Sequence, residues 1–282
     1  MKNCVLKNWG VGVSLMKSGL HGMTALNVSF AIDDIGLITR LSGGSLVVDN
    51  LTADQTGTAL SAYGSDYASV VNTRITSSDA GFVLSSKKTV RIKNNTMTGV
   101  TDPMELDFLP SVVVDSDYSN TIDGKMMAIL QNASGTVIEG PQWGFVFVLN
   151  STNITARNMV FSNTGIGISF HAVANSTISN ITARNTIVPV ELDVYKGSYD
   201  AQYGPSYDVN ISNLRTSGSQ CGIYVTTWND VYSIANVSIS NFTSDGDYVT
   251  ICRATAPSAS LKIRNMVSNN TKNHVQIGRA HV

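Results

Sequence analysis

From Asn120 to Val194, Val, Ile and Thr alternate with polar residues over three or four positions, and Asn, Ser or Gly breaks each run before a helical turn can form. Within this stretch Asn158 and Asn163 return as Asn180 and Asn185, Gly167-Ile168 returns as Pro189-Val190, and Phe170 returns as Leu192, all at an offset of about 22 residues. A unit that short cannot bury its apolar face alone. Successive coils must stack, each strand pairing in parallel with its counterpart one coil further on. The pattern therefore predicts an all-β solenoid with no helix. Asn suits its turns because the side chain tolerates a left-handed bend and stacked amides can hydrogen-bond along a ladder.

The same grammar extends in both directions. Val48-Asp-Asn50, Val71-Asn72 and Ile92-Lys-Asn94 return at similar steps, and coils resume after the interruption at Val209-Asn-Ile-Ser, Val237-Ser-Ile-Ser and Leu261-Lys-Ile-Arg. Residues 1–275 are expected to form one solenoid, with an irregular junction at about 102–120 and a loop insertion at 195–208, where Gly, Pro and Tyr replace the period. Both ends read as cut. Residues 276–282 match the translation of a sequencing adapter and are set aside from fold reasoning.

Asn120-Thr-Ile-Asp-Gly-Lys125, Leu130-Gln-Asn132, Gly144-Phe-Val-Phe-Val-Leu-Asn150 and Asn153-Ile-Thr are followed by Gly-Ile-x-Phe and Asn-Ser-Thr-Ile steps. Together they resemble the NosD-like β-helix repeats of archaeal and bacterial surface proteins, most specifically over residues 117–194. Met126-Met-Ala-Ile-Leu130 departs from the Pro-Val-Tyr-Tyr-Leu often found there. The resemblance implies a right-handed, single-stranded parallel β-helix of the pectate-lyase-like superfamily. The family name implies copper delivery, whereas likeness to the repeat implies only the fold.

A net charge of −1 and a charged fraction of 14% give no electrostatic footprint for nucleic acid or an anionic membrane. No apolar run reaches the ~18 residues of a membrane span, and no signal peptide opens the chain. Abundant Asn, Ser and Thr fit an extracellular or cell-surface protein. Sequons begin at Asn27, Asn50, Asn94, Asn132, Asn150, Asn153, Asn175, Asn180, Asn210, Asn236, Asn241 and Asn269, although such a composition generates these triplets by itself. Cys4, Cys221 and Cys252 are too few and too scattered for a disulfide framework or a zinc site, and are expected as small buried side chains.

Aligning one strand across coils places Phe145, Ile168, Val190, Ile223 and Val249 inward, with Phe147, Phe170, Leu192, Val225 and Ile251 beside them. The outward columns then read Val146, Ser169, Glu191, Tyr224, Thr250 and Val148, His171, Asp193, Thr226, Cys252. Glu191, Asp193 and His171 fall in one patch. Two carboxylates about 6.5 to 7 Å apart on one strand face can serve as the acid and base of an inverting glycosidase. Tyr195, Tyr199, Tyr203 and Tyr207 leave beside that patch, and Tyr224 and Trp228 lie near it; these aromatics are candidates for sugar stacking. A solvated strand face is the plain alternative, because Pro103-Met-Glu-Leu-Asp107 repeats Pro189-Val-Glu-Leu-Asp193. Copper would want clustered His, Cys or Met, but His21 and His274 lie many coils from His171, so no metal or cofactor is expected.

These observations predict a non-catalytic extracellular module, structural or binding a polysaccharide or surface glycan, and monomeric or part of a longer chain. The rival is a polysaccharide-active enzyme, a glycoside hydrolase or lyase, with its acidic site at Glu191 and Asp193.

Overall fold

The computed structural model describes residues 1–15, 22–106, 111–194, 206–227, 234–254 and 260–278. Among them every regular element is a β-strand. Strands pair in parallel one coil on: Met23 lies opposite Leu46, and Met159 opposite Ile181. The interval is 23 residues in the early coils and 22 between Asn158 and Asn180, and it lengthens to 33, 28 and 24 in the last coils. The chain is therefore a parallel β-solenoid, as its repeats require. Contacts group the strands into two units, one from Met1 to Met127 and one from Ala128 onward.

The Asn residues that punctuate the pattern sit at the corners. Asn27, Asn50, Asn158, Asn180, Asn213, Asn241 and Asn265 all have φ between 53° and 58°. This left-handed conformation strains most side chains, and Asn accepts it more readily. Each corner amide is then stacked on the next. Asn180 Nδ2 donates to Asn158 Oδ1 at 3.0 Å, Asn213 to Asn180 at 3.0 Å, Asn241 to Asn213 at 3.0 Å and Asn265 to Asn241 at 3.1 Å. Sequons at Asn180 and Asn241 are thus ladder positions, where neighbours about 4.8 Å apart crowd a glycan on every rung. The 19-residue strand Ile166–Arg184 turns through such bends at Ala172, Asn175 and Asn180.

Where a glycine opens a coil, it has a steric cause. A Cβ on Gly167 would lie 2.6 Å from the Pro189 carbonyl oxygen and 2.9 Å from the Phe161 ring. A Cβ on Gly222 would meet the Phe242 ring at 2.7 Å. Phe161, Phe170 and Phe242 are fully buried, each stabilising the stack by about 1.5–3 kcal/mol in transfer free energy.

The predicted inner columns need two corrections. Val146 pairs with Ile168 and Val148 with Phe170, so Phe147 stands opposite Ser169, on the other face from Phe170. Trp143 through Leu149 are all buried, so this strand has no polar half from which alternation could fix its facing. Further on, Ile251 pairs with Ile223 rather than Val225, a slip of two residues that keeps the face but changes the partner.

The predicted junction is more regular than expected. Asp102–Leu106 and Val113–Ser116 both pair in parallel with Ala80–Lys93. Asp123 and Gly124, with φ of 49° and 76°, make the tight turn between Thr121–Ile122 and its antiparallel partner Lys125–Gln131. Asp-Gly is a preferred pair for such a hairpin. Of the predicted loop 195–208, residues 195–205 lie outside the described residues, and Tyr207 already begins the strand Tyr207–Ser217. In the set-aside tail, the strand Asn273–Gly278 pairs with Val249–Ala254. The cysteines also differ from expectation. Cys221 and Cys252 form a disulfide between neighbouring coils, their Cα atoms 6.0 Å apart, because stacking joins residues that sequence separates by 31 positions.

Candidate functional site

Four of the predicted site residues, His171, Glu191, Asp193 and Tyr224, do converge. Ser169 pairs with Glu191 and His171 with Asp193 across adjacent strands, and Tyr224 pairs with Glu191 one coil further. The His171 ring nitrogen Nε2 lies 2.7 Å from Ser169 Oγ, which donates to Glu191 Oε2 at 2.7 Å. His171 Nδ1 is 3.8 Å from Asp193 Oδ2, beyond hydrogen-bond length. Phe147 covers the imidazole, ring centroids 4.9 Å apart.

Burial distinguishes this arrangement from a solvated face. Ser169 is 2% exposed and Asp193 6%, while Glu191 and Tyr224 are half-buried. Burial also pushes the His171 pKa down to about 4, so the ring is neutral at pH 7 and carries one proton. With Glu191 ionised, Ser169 gives it its only proton and must accept from His171 Nε2–H, which leaves Nδ1 as a lone pair toward Asp193. For inverting glycoside hydrolysis one carboxyl group must reach the glycosidic oxygen and the other a water beside the sugar, and Asp193 is buried, with 6% of its surface exposed.

Of the aromatic candidates, Tyr207 is exposed at the start of its strand. Tyr195, Tyr199, Tyr203 and Trp228 lie outside the described residues.

Sequence reasoning missed two features. The carboxylate of Asp247, 1% exposed, accepts from Thr216 Oγ1, from Ser219 N at 2.8 Å and from Ser244 Oγ at 2.6 Å, tying its own coil to the one before it. Its signal, the second Asp of Asp245-Gly246-Asp247, resembles any other turn. The second is a shallow groove of about 580 Å³ along the outer wall of the last coils, lined by Asn180, Thr182, Asn213, Arg215, Asn241, Thr243 and Asn265. An adjoining hollow of about 230 Å³ is lined by Ser238, Ile239, Ser240, Lys262 and Arg264. Asn recurrence was legible in the sequence, but as turn chemistry.

The groove's floor follows from the ladder. Every corner amide spends one N–H and one carbonyl lone pair on its neighbours, and a carboxamide has two of each. One donor and one acceptor per coil therefore remain for a ligand, repeating at about 4.8 Å.

Comparison with known proteins agrees with the repeat. The family model described as periplasmic copper-binding protein (NosD) matches residues 1–107, so the NosD-like character extends to the early coils, outside the stretch 117–194 where the motifs are densest. No curated protein sequence matches the chain. Among solved structures, a catalytic domain of GH87 alpha-1,3-glucanase in complex with nigerose aligns over 98% of this chain at 12% identity and a TM-score of 0.35. The chain spans 63% of that domain. The Streptococcus pneumoniae surface protein and adhesin PfbA aligns over 96% of this chain and 91% of its own, at 10% identity and a TM-score of 0.34. Likeness at this level carries no argument about activity.

The copper named by the family description does not fit the donors present. Among the described residues no three His, Cys, Asp or Glu side chains gather as a metal site. Cys221 and Cys252 are bonded to each other, and His171 faces hydroxyl and carboxylate oxygens, not the soft or multiple-imidazole sets copper prefers.

Proposed function

We propose that this protein is a non-catalytic, extracellular or cell-surface β-solenoid module that binds a polysaccharide or surface glycan along its outer wall. The observation that carries this reading is the groove over the stacked Asn corners, whose donor and acceptor pairs repeat with the coil. A chain of sugar hydroxyls is complementary to such an array, because each can both donate and accept. The disulfide between Cys221 and Cys252 supports an oxidising compartment. The rival, hydrolysis or lysis at Glu191 and Asp193, has in its favour only that the two carboxylates share a strand face with His171.

Glycan-array binding followed by calorimetry tests the proposal. Asn213→Gly keeps the left-handed corner while deleting its amide, and is expected to weaken a bound glycan by about 1–2 kcal/mol with the fold intact. Glu191→Gln is expected to leave affinity standing. Release of reducing ends that Glu191→Gln or Asp193→Asn abolishes would establish the enzyme instead.

A further inference from the structure

The groove and the hollow beside it carry cations that no carboxylate among the described residues neutralises. Arg215 lines the first, and Lys262 and Arg264 line the second. Across the ladder Arg215 faces Thr243 and Thr182, while Lys262 and Arg264 face Ser238 and Ser240. Among the described residues none of the three forms an ion pair. Some other exposed cations do: Arg157, on the same outer column as Arg264, is held by Glu139 at 2.7 Å, and Lys88 by Asp66 at 2.9 Å, whereas Arg74 and Arg184 stand without an ion pair among the described residues. Asp245, the carboxylate two positions beyond Thr243, accepts instead from Asn270 Nδ2 at 3.0 Å.

From this we propose that the groove selects an acidic glycan, one whose carboxylate or sulfate groups seat on Arg215 and on the Lys262–Arg264 pair while its hydroxyls run along the Asn amides. The inference rests on the glycan-binding reading above. A guanidinium offers a planar pair of N–H donors to either anion, which a hydroxyl-only polymer leaves unused. Arg215 and Arg264 stand on strands two coils apart, about 10 Å along the stack. Nucleic acid is disfavoured because the described residues lining the groove include no aromatic platform on which bases could stack.

The test uses the full chain and an array of paired acidic and neutral glycans, including a hyaluronan octasaccharide and its carboxyl-methylated form, with a single-stranded DNA oligomer alongside. At low salt the acidic octasaccharide should bind about tenfold more tightly than its ester, since one charge-assisted contact is worth roughly that factor. Arg215→Ala should weaken this preference, the triple change Arg215→Ala, Lys262→Ala and Arg264→Ala should remove it, Arg215→Lys should retain most of it, and Arg184→Ala, outside the groove, should leave it unchanged. Equal affinity for acid and ester, with Arg215→Ala silent, overturns the acidic-ligand inference and leaves glycan binding standing. Binding to no glycan overturns both, and tighter binding of the DNA oligomer also overturns the proposal.

Discussion

His171 offers a stability test whose size follows from its surroundings. Its side chain is 15% exposed, under the Phe147 ring and against Ser169, and burial lowers its pKa from 6.5 to about 4. A histidine depressed in this way is protonated in the unfolded chain before it is protonated in the folded one. Between pH 6.5 and 4 the unfolded state therefore binds the extra proton, and stability is lost as pH falls through that window. The gap, 6.5 − 4 = 2.5, corresponds at 1.36 kcal/mol for each pH decade to about 3 kcal/mol. His171→Gln keeps a donor and an acceptor near Ser169 and does not titrate. Urea unfolding at pH 7 and pH 4 should show the wild type losing about 3 kcal/mol more than His171→Gln. Equal losses in the two proteins would refute the argument and mean that His171 keeps its proton in the fold, held by the carboxylate of Asp193 3.8 Å away.

Phe170→Ala should cost about 3–5 kcal/mol in chemical denaturation, because the fully buried ring leaves a cavity between stacked coils. Ser169→Ala, which strict alternation would make harmless, should cost about 1–3 kcal/mol, since Ser169 is buried and links His171 to Glu191. Ile32 has φ 59° at a corner that neighbouring coils fill with Asn8, Gln55, Ser77 and Gly99, so replacing this β-branched residue in Ile32→Asn should raise stability by about 1 kcal/mol; a lower melting temperature would contradict the strain. Reducing the Cys221–Cys252 disulfide, or replacing both cysteines by serine, should cost about 3–4 kcal/mol for a 31-residue separation, and unchanged unfolding would show that the bridge adds nothing.

The fold was legible because its determinants are local and repeated: Asn at a left-handed corner, Gly under a neighbouring ring, and apolar residues every second position. Alternation failed where both faces are buried. Phe145, Val146, Phe147 and Val148 are all apolar, so nothing in that strand distinguishes in from out, and only its register with Ile168 and Phe170 decides. Strand columns brought Glu191, Asp193 and His171 together correctly, yet period-two logic assigns direction and not coverage. A position facing away from the core can still be covered, as Ser169 is. The groove escaped notice for the opposite reason. Its residues lie on four strands whose intervals of 33, 28 and 24 residues hide the column in the sequence.

A crystal structure of the protein with a bound glycan octasaccharide tests the central claim most directly. The account predicts the sugar chain lying along the outer wall, hydrogen-bonded to the amides of Asn213 and Asn241 with Arg215 on an acidic group. A sugar seated instead on Glu191 and Asp193, with the Asn groove empty, would contradict it.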